Sequence, residues 1–206
     1  MKKYMVIVGI IGATVLGACS VDSGGNTAPE GALTEAKLTE ASLTDREEAI
    51  LSGSEDAFVF DFDVDETYSE VTVRMVKYEF GALVDHHVSA LSAPVDGEGS
   101  IVFTASRLIN QEDALFTTSV SSGDSIGTHQ TVETILRDGS EGMAKISETH
   151  LEPEVPIKGD MVLATIAYSS EDAMSSLPAS FYDDPEAYED VFGDYDIVYV
   201  LTSEFR

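Results

Sequence analysis

The chain has 206 residues and a formal charge of -27, with 38 acidic side chains against 11 basic ones. A surface this negative repels nucleic acid and other polyanions and gathers cations, so DNA and RNA partners are excluded. One cysteine excludes a disulfide framework, and 43% hydrophobic residues suffice for a single ordinary core.

In chain order, Lys2 and Lys3 form a short basic start, and Tyr4 to Val15 form an apolar run of signal-peptide length. A general signal peptidase site wants small residues three and one positions before the cut, and Leu16 is wrong for a cut before Cys19. Leu16-Gly17-Ala18-Cys19 instead resembles the lipobox of bacterial lipoproteins. That resemblance implies a diacylglyceryl thioether on Cys19 and cleavage just before it, which suits a thiolate, the soft nucleophile that alkylation needs. Residues 1–18 are then a signal peptide, and lipid on Cys19 holds the chain to the outer face of the cell membrane. The alternative is an uncleaved one-helix anchor, because the uncharged run from Tyr4 to Val21 is at the lower limit for a span. Both readings place the body outside the cytoplasm. Cleavage also removes Lys2 and Lys3, which brings the charge to about -29.

Residues 19–43 read as a tether. Ser20 to Gly31 are mostly Gly, Ser, Asn, Pro and acid, with little to bury. LTEAK, LTEAS and LTDRE follow, starting at Leu33, Leu38 and Leu43, a period of five that matches neither helix nor strand. This predicts a duplicated, partly helical spacer. Thr44 with Glu47 is a capping box that predicts a short helix ending near Gly53, and the folded domain is expected over 44–206.

The body predicts an antiparallel β-sandwich, immunoglobulin-like or Greek-key in order. In AFVFDFDVD, Phe58, Phe60, Phe62 and Val64 point one way, and Asp61, Asp63 and Asp65 the other. VTVRMVKYEF keeps Val71, Val73 and Met75 on one face and then slips to Val76, Tyr78 and Phe80, the signature of a β-bulge or bend. SIVFTAS, ALFTTSV, TVETIL, MAKISET, MVLATIAY and DIVYVLTSEF continue the series, divided by Gly and Asp turns. The last two are apolar on both faces and are expected to be central. One helix is predicted near the C-terminus at Pro185 to Phe192, capped by Asp184 and stopped by Gly193.

Few constellations carry chemistry. Gly123 to Gly127 reads GDSIG, the G-x-S-x-G of a serine-hydrolase nucleophile elbow with Ser125 as nucleophile. That motif needs a helix after the turn, and THQTVETIL reads as a strand. His86 and His87, adjacent on a strand, face opposite ways, and His129 and His150 fall on separate strands, so no zinc spacing is present. Calcium suits the carboxylates better, and Asp61-x-Asp63-x-Asp65 resembles the start of an EF-hand loop. Glu66 stands where that loop turns on Gly, and Thr72 where its bidentate Glu belongs. On a strand, successive aspartates lie roughly 7 Å apart, too far for all three to hold one ion.

Beyond the lipobox, the overall pattern resembles small lipoproteins of Gram-positive bacteria, a likeness that carries over no functional residue. The sequence therefore predicts a lipid-anchored extracytoplasmic domain without catalysis or cofactor, binding a protein, glycan or small ligand. A small serine hydrolase using Ser125 and a calcium-binding surface protein are the alternatives.

Overall fold

Strict alternation makes Asp56–Asp63 a strand: Phe58, Phe60 and Phe62 are buried on one face while Asp61 stays exposed on the other. The computed structural model describes residues 36–110, 112–135, 143–149, 154–171, 174–182 and 191–206. Their elements in chain order are β1 (Lys37–Glu40), α1 (Asp45–Leu51), β2 (Asp56–Asp63), β3 (Glu70–Glu79), β4 (Ala82–Pro94) and β5 (Glu98–Arg107). Then come β6 (Asp113–Ser122), β7 (Ser125–Thr134), β8 (Ala144–Thr149), β9 (Val155–Pro156), β10 (Asp160–Ser169) and β11 (Ile197–Phe205). They form two antiparallel sheets packed as a sandwich, in the orders β7-β6-β5-β2-β1-β9 and β4-β3-β11-β10-β8. The chain changes sheet between β2 and β3, β4 and β5, β7 and β8, β8 and β9, and β9 and β10, so sequence neighbours line both sides of one core.

That core is built from the inward rows of both sheets, with Phe60, Phe103 and Phe116 of one meeting Met75, Ile166 and Tyr199 of the other. A second apolar layer lies on the outer face of the β4-to-β8 sheet, where Phe181, Phe192 and Tyr195 cover Val162, Val198 and Val200. This layer explains why β10 and β11 are apolar on both faces, and both are interior strands as expected.

Three sequence expectations are corrected. The second LTEA repeat is not tether, because Lys37–Glu40 pairs with β2 on one side and β9 on the other, burying Leu38. The folded unit therefore begins before Thr44: Ala36 already accepts a backbone bond from Ile157. The phase slip at Met75 and Val76 is not a bulge in β3, which keeps unbroken register with β11 from Val71 to Glu79. The irregular pairing falls against β4, and Tyr78 is apolar because the second layer covers it. Lys77 simply continues the inner row of Val71, Val73 and Met75. The capping box is present: Thr44 Oγ1 accepts from the Glu47 amide, and Glu47 accepts from the Thr44 amide at 2.7 Å. The helix predicted over 185–192 lies mostly outside the described residues, as do Cys19, His150 and the Ser20 to Gly31 linker; 191–194 is a 3-10 turn.

Glu204 near the end of β11 accepts from Arg74 at 2.8 Å and from Arg206 at 2.7 and 2.8 Å. Those bonds, Arg206 first and Arg74 second, hold its carboxyl down at about 2 against an ordinary 4.5. A folded value below the unfolded one contributes stability above pH 4.5, and that contribution is lost as pH falls towards 2. Glu204→Gln is expected to unfold at a lower temperature than the parent at pH 6, with the two melting curves converging near pH 2.

Candidate functional site

The outward rows of β1, β2 and β5 line an open groove on the outer face of the β7-to-β9 sheet. Lys37, Thr39, Asp61, Asp63, Glu98, Gly99 and Ser100 surround a depression of about 540 Å³. Asp61 and Ser100 also border a second hollow of about 330 Å³, floored by Val59 and Val102 and walled by Leu43, Ile50 and Leu51 beside and on α1. The two share an edge and make one groove, acidic and hydroxylated at one end and apolar at the other. The Ser100 hydroxyl donates to Asp61 at 2.7 Å, fixing the central carboxylate. Lys37 pairs with Glu154 at 3.0 Å, and that hydrogen bond, then the charges of Glu154 and Asp63, raise its pKa. With its one cation already held by Glu154, the groove has excess negative charge.

A different polar set lies between the sheets at the end away from Lys37. Lys77, with 7% of its side chain exposed, donates to Glu133 of the opposite sheet at 2.6 Å and pairs with Glu79 at 3.0 Å. The Tyr199 hydroxyl donates to the same Glu133 oxygen at 3.0 Å. Burial, followed by the Glu133 charge, pushes the Tyr199 phenol far above its usual range, so it remains a donor. Further along, Lys145 grips both oxygens of buried Asp56 at 2.8 and 2.9 Å, Ser147 adds a bond at 2.6 Å, and Arg107 stands over the Tyr168 ring at 5.9 Å. Apart from the Lys77–Glu79 pair, which lies within β3, each of these contacts joins one sheet to the other. They form an internal polar seam that ties the sandwich together.

The residues singled out in the sequence are not brought together. Ser125 follows the two-residue Gly123-Asp124 turn, where Gly123 has φ +53°, and it opens β7 opposite Ser122. A strand, not a helix, follows it, so the GDSIG turn lacks the helix N-terminal amides of a nucleophile elbow. His129 lies farther along the same strand, with its ring 3.4 Å from the Thr131 hydroxyl. Asp61 and Asp63 share the groove, whereas Asp65 turns away in a loop and accepts from the Thr67 amide at 2.9 Å. Among the described residues, no three His, Cys, Asp or Glu side chains converge on a metal position. Sequence reasoning missed Lys37, Thr39, Glu98 and Ser100 as partners of Asp61. The available signal was the alternation of β2 and β5, which placed Asp61 and Ser100 on outward rows without telling which strands are neighbours.

A profile of the YgaN domain matches residues 37–205, from the first residue of β1 to the last of β11. The chain belongs to the YgaN domain family. No curated protein and no solved structure matches it. The YgaN domain thus coincides with the sandwich as folded, including β1, and both the groove and the seam are internal to it.

Proposed function

We propose that this chain is a lipid-anchored, extracytoplasmic binding domain that performs no chemistry. The observation that carries the reading is the two-ended groove, in which carboxylates and hydroxyls at Asp61, Asp63, Glu98, Thr39 and Ser100 run into apolar Val59, Val102, Ile50 and Leu51. Such a surface suits a ligand with positive charge or hydrogen-bond donors at one end and apolar surface at the other. The Leu16-Gly17-Ala18-Cys19 motif supplies the anchor, and β1 begins 18 residues after Cys19, a reach of roughly 60 Å if extended.

The test uses the full chain in a bacterial host. Fed an alkyne-tagged fatty acid, the cells are expected to label the parent chain in the membrane fraction, and Cys19→Ala is expected to abolish the label. For the groove, the probe is a short lysine-leucine peptide. Saturable binding is expected, weakened at least tenfold by Asp61→Asn with Asp63→Asn and unchanged by Asp45→Asn with Asp124→Asn. Equal weakening by both pairs would show that net charge alone attracts the peptide and would refute the groove as a site. Label retained on Cys19→Ala would refute the anchor.

A further inference from the structure

The four sheet edges of the sandwich differ in how they are protected. An unpaired edge is a template for another strand, and proteins blunt it with short strands, proline, charge or bulges. The edge strand β9 has two residues, one of them Pro156. The edge strand β8 has six, including Lys145 and Glu148. On β4, pairing is irregular around Lys77 and Asp85, and the strand ends at Pro94. The β7 edge alone has ten residues in unbroken register, without proline or bulge. Its one charge, Glu133, points inward and is held by Lys77 and Tyr199. Its outward row exposes two large hydrophobic side chains, Ile126 at 79% and Val132 at 59%. Among the described residues, no backbone group pairs with its second edge.

The two-residue turn closes on Ser122 and Ser125, so Ser125 and the odd positions after it aim their backbone groups at β6. Positions 126, 128, 130, 132 and 134 therefore aim theirs outward. Antiparallel pairing of two copies centred on His129 sets Ile126 against Val132 of the second copy, and Thr128 against Gln130. About eight backbone hydrogen bonds form, and no carboxylate on the strand lies opposite another. The same offset puts Glu133 across from Ser125, so this strand can approach its own copy despite the chain's charge of -27. Shifting the register by one pair in either direction separates Ile126 from Val132 and leaves both facing polar or acidic neighbours.

We infer that a second copy of this chain docks on the β7 edge, joining two six-stranded sheets across a two-fold axis at His129. At that axis the paired positions are of the non-hydrogen-bonded kind, with Cα atoms about 4.5 Å apart, close enough for a disulfide.

The experiment keeps the full chain on the cell surface. His129→Cys is expected to yield a disulfide-linked dimer under mild oxidant on a non-reducing gel. Thr134→Cys, whose copies stand roughly 34 Å apart in this arrangement, is expected to remain monomeric. Adding Gln130→Pro to His129→Cys removes an outward amide, leaves the backbone bonds to β6 in place at the loss of the exposed Gln130–Thr117 side-chain bond, and should abolish the cross-link. Equal cross-linking at positions 129 and 134, or none at 129 with the variant folded, overturns the pairing. If His129→Cys does not fold, sedimentation equilibrium of the detergent-solubilised parent decides: a dimer that Gln130→Pro dissociates supports it, and a monomer throughout overturns it.

Discussion

Replacing Lys77 by alanine is expected to lower stability by about 3 kcal/mol in urea unfolding, because it strips the shared cation from two carboxylates inside the sandwich. Lys77 bridges Glu133 and Glu79 at 2.6 and 3.0 Å with its ammonium 5.5 Å from the centre of the Tyr199 ring. A buried pair adds little over a well-packed apolar substitute, but breaking one leaves uncompensated charge, and that is the larger effect. Lys77→Met retains the stem and is expected to cost less than alanine. Lys77→Met with Glu133→Gln should recover most of the remaining loss, because the amide oxygen still accepts from Tyr199 while one carboxylate is gone. Were Lys77→Ala to unfold within 0.5 kcal/mol of the parent, the pair would contribute as little as an exposed one and the seam would not tie the sheets.

The seam was also the part of the molecule least visible in the sequence. A lysine between Val76 and Tyr78 reads as an outward residue, and the run then reads as a change of phase. In the fold, Lys77 points inward because Glu133, distant in sequence, neutralises it there. Strand β2 was legible because Phe58, Phe60 and Phe62 share one face while Asp61 and Asp63 stand on the other, so one register alone buries the phenylalanines. Strand β1 was not, since its four residues bury a single leucine and sit in a repeat whose period fits no regular structure. Strand β4 escaped notice for a related reason: Ala82 to His87 are all exposed, and irregular pairing breaks its alternation. The groove was half legible. Alternation placed Asp61 and Asp63 on one outward row, but Lys37 and Ser100 join them only through pairings with β1 and β5.

Gly99→Ala is expected to be among the most damaging single-methyl changes in the chain, costing about 3 kcal/mol or preventing accumulation of folded protein. Gly99 lies across from Phe62 on one side and Ser122 on the other, in the middle of a sheet where glycine is otherwise unfavourable. A methyl group there would sit 2.2 Å from the Phe62 ring and 2.4 Å from the Ser121 carbonyl oxygen, so the glycine is required for space. The ring in turn packs edge-on against Phe205 at 5.3 Å, which limits its retreat. Phe62→Leu shortens that side chain but leaves the carbonyl in place. Combined with Gly99→Ala, it should therefore restore only part of the loss in a double-mutant cycle read by thermal unfolding. Full restoration would mean that β6 can yield at Ser121, and no restoration would mean that the backbone contact alone sets the penalty. Because Gly99 also lines the acidic end of the groove beside Asp61 and Glu98, a shifted β5 would move the Glu98 carboxylate and the Ser100 hydroxyl that holds Asp61. The partial-rescue variant should thus bind the lysine-leucine probe more weakly than its stability alone would dictate.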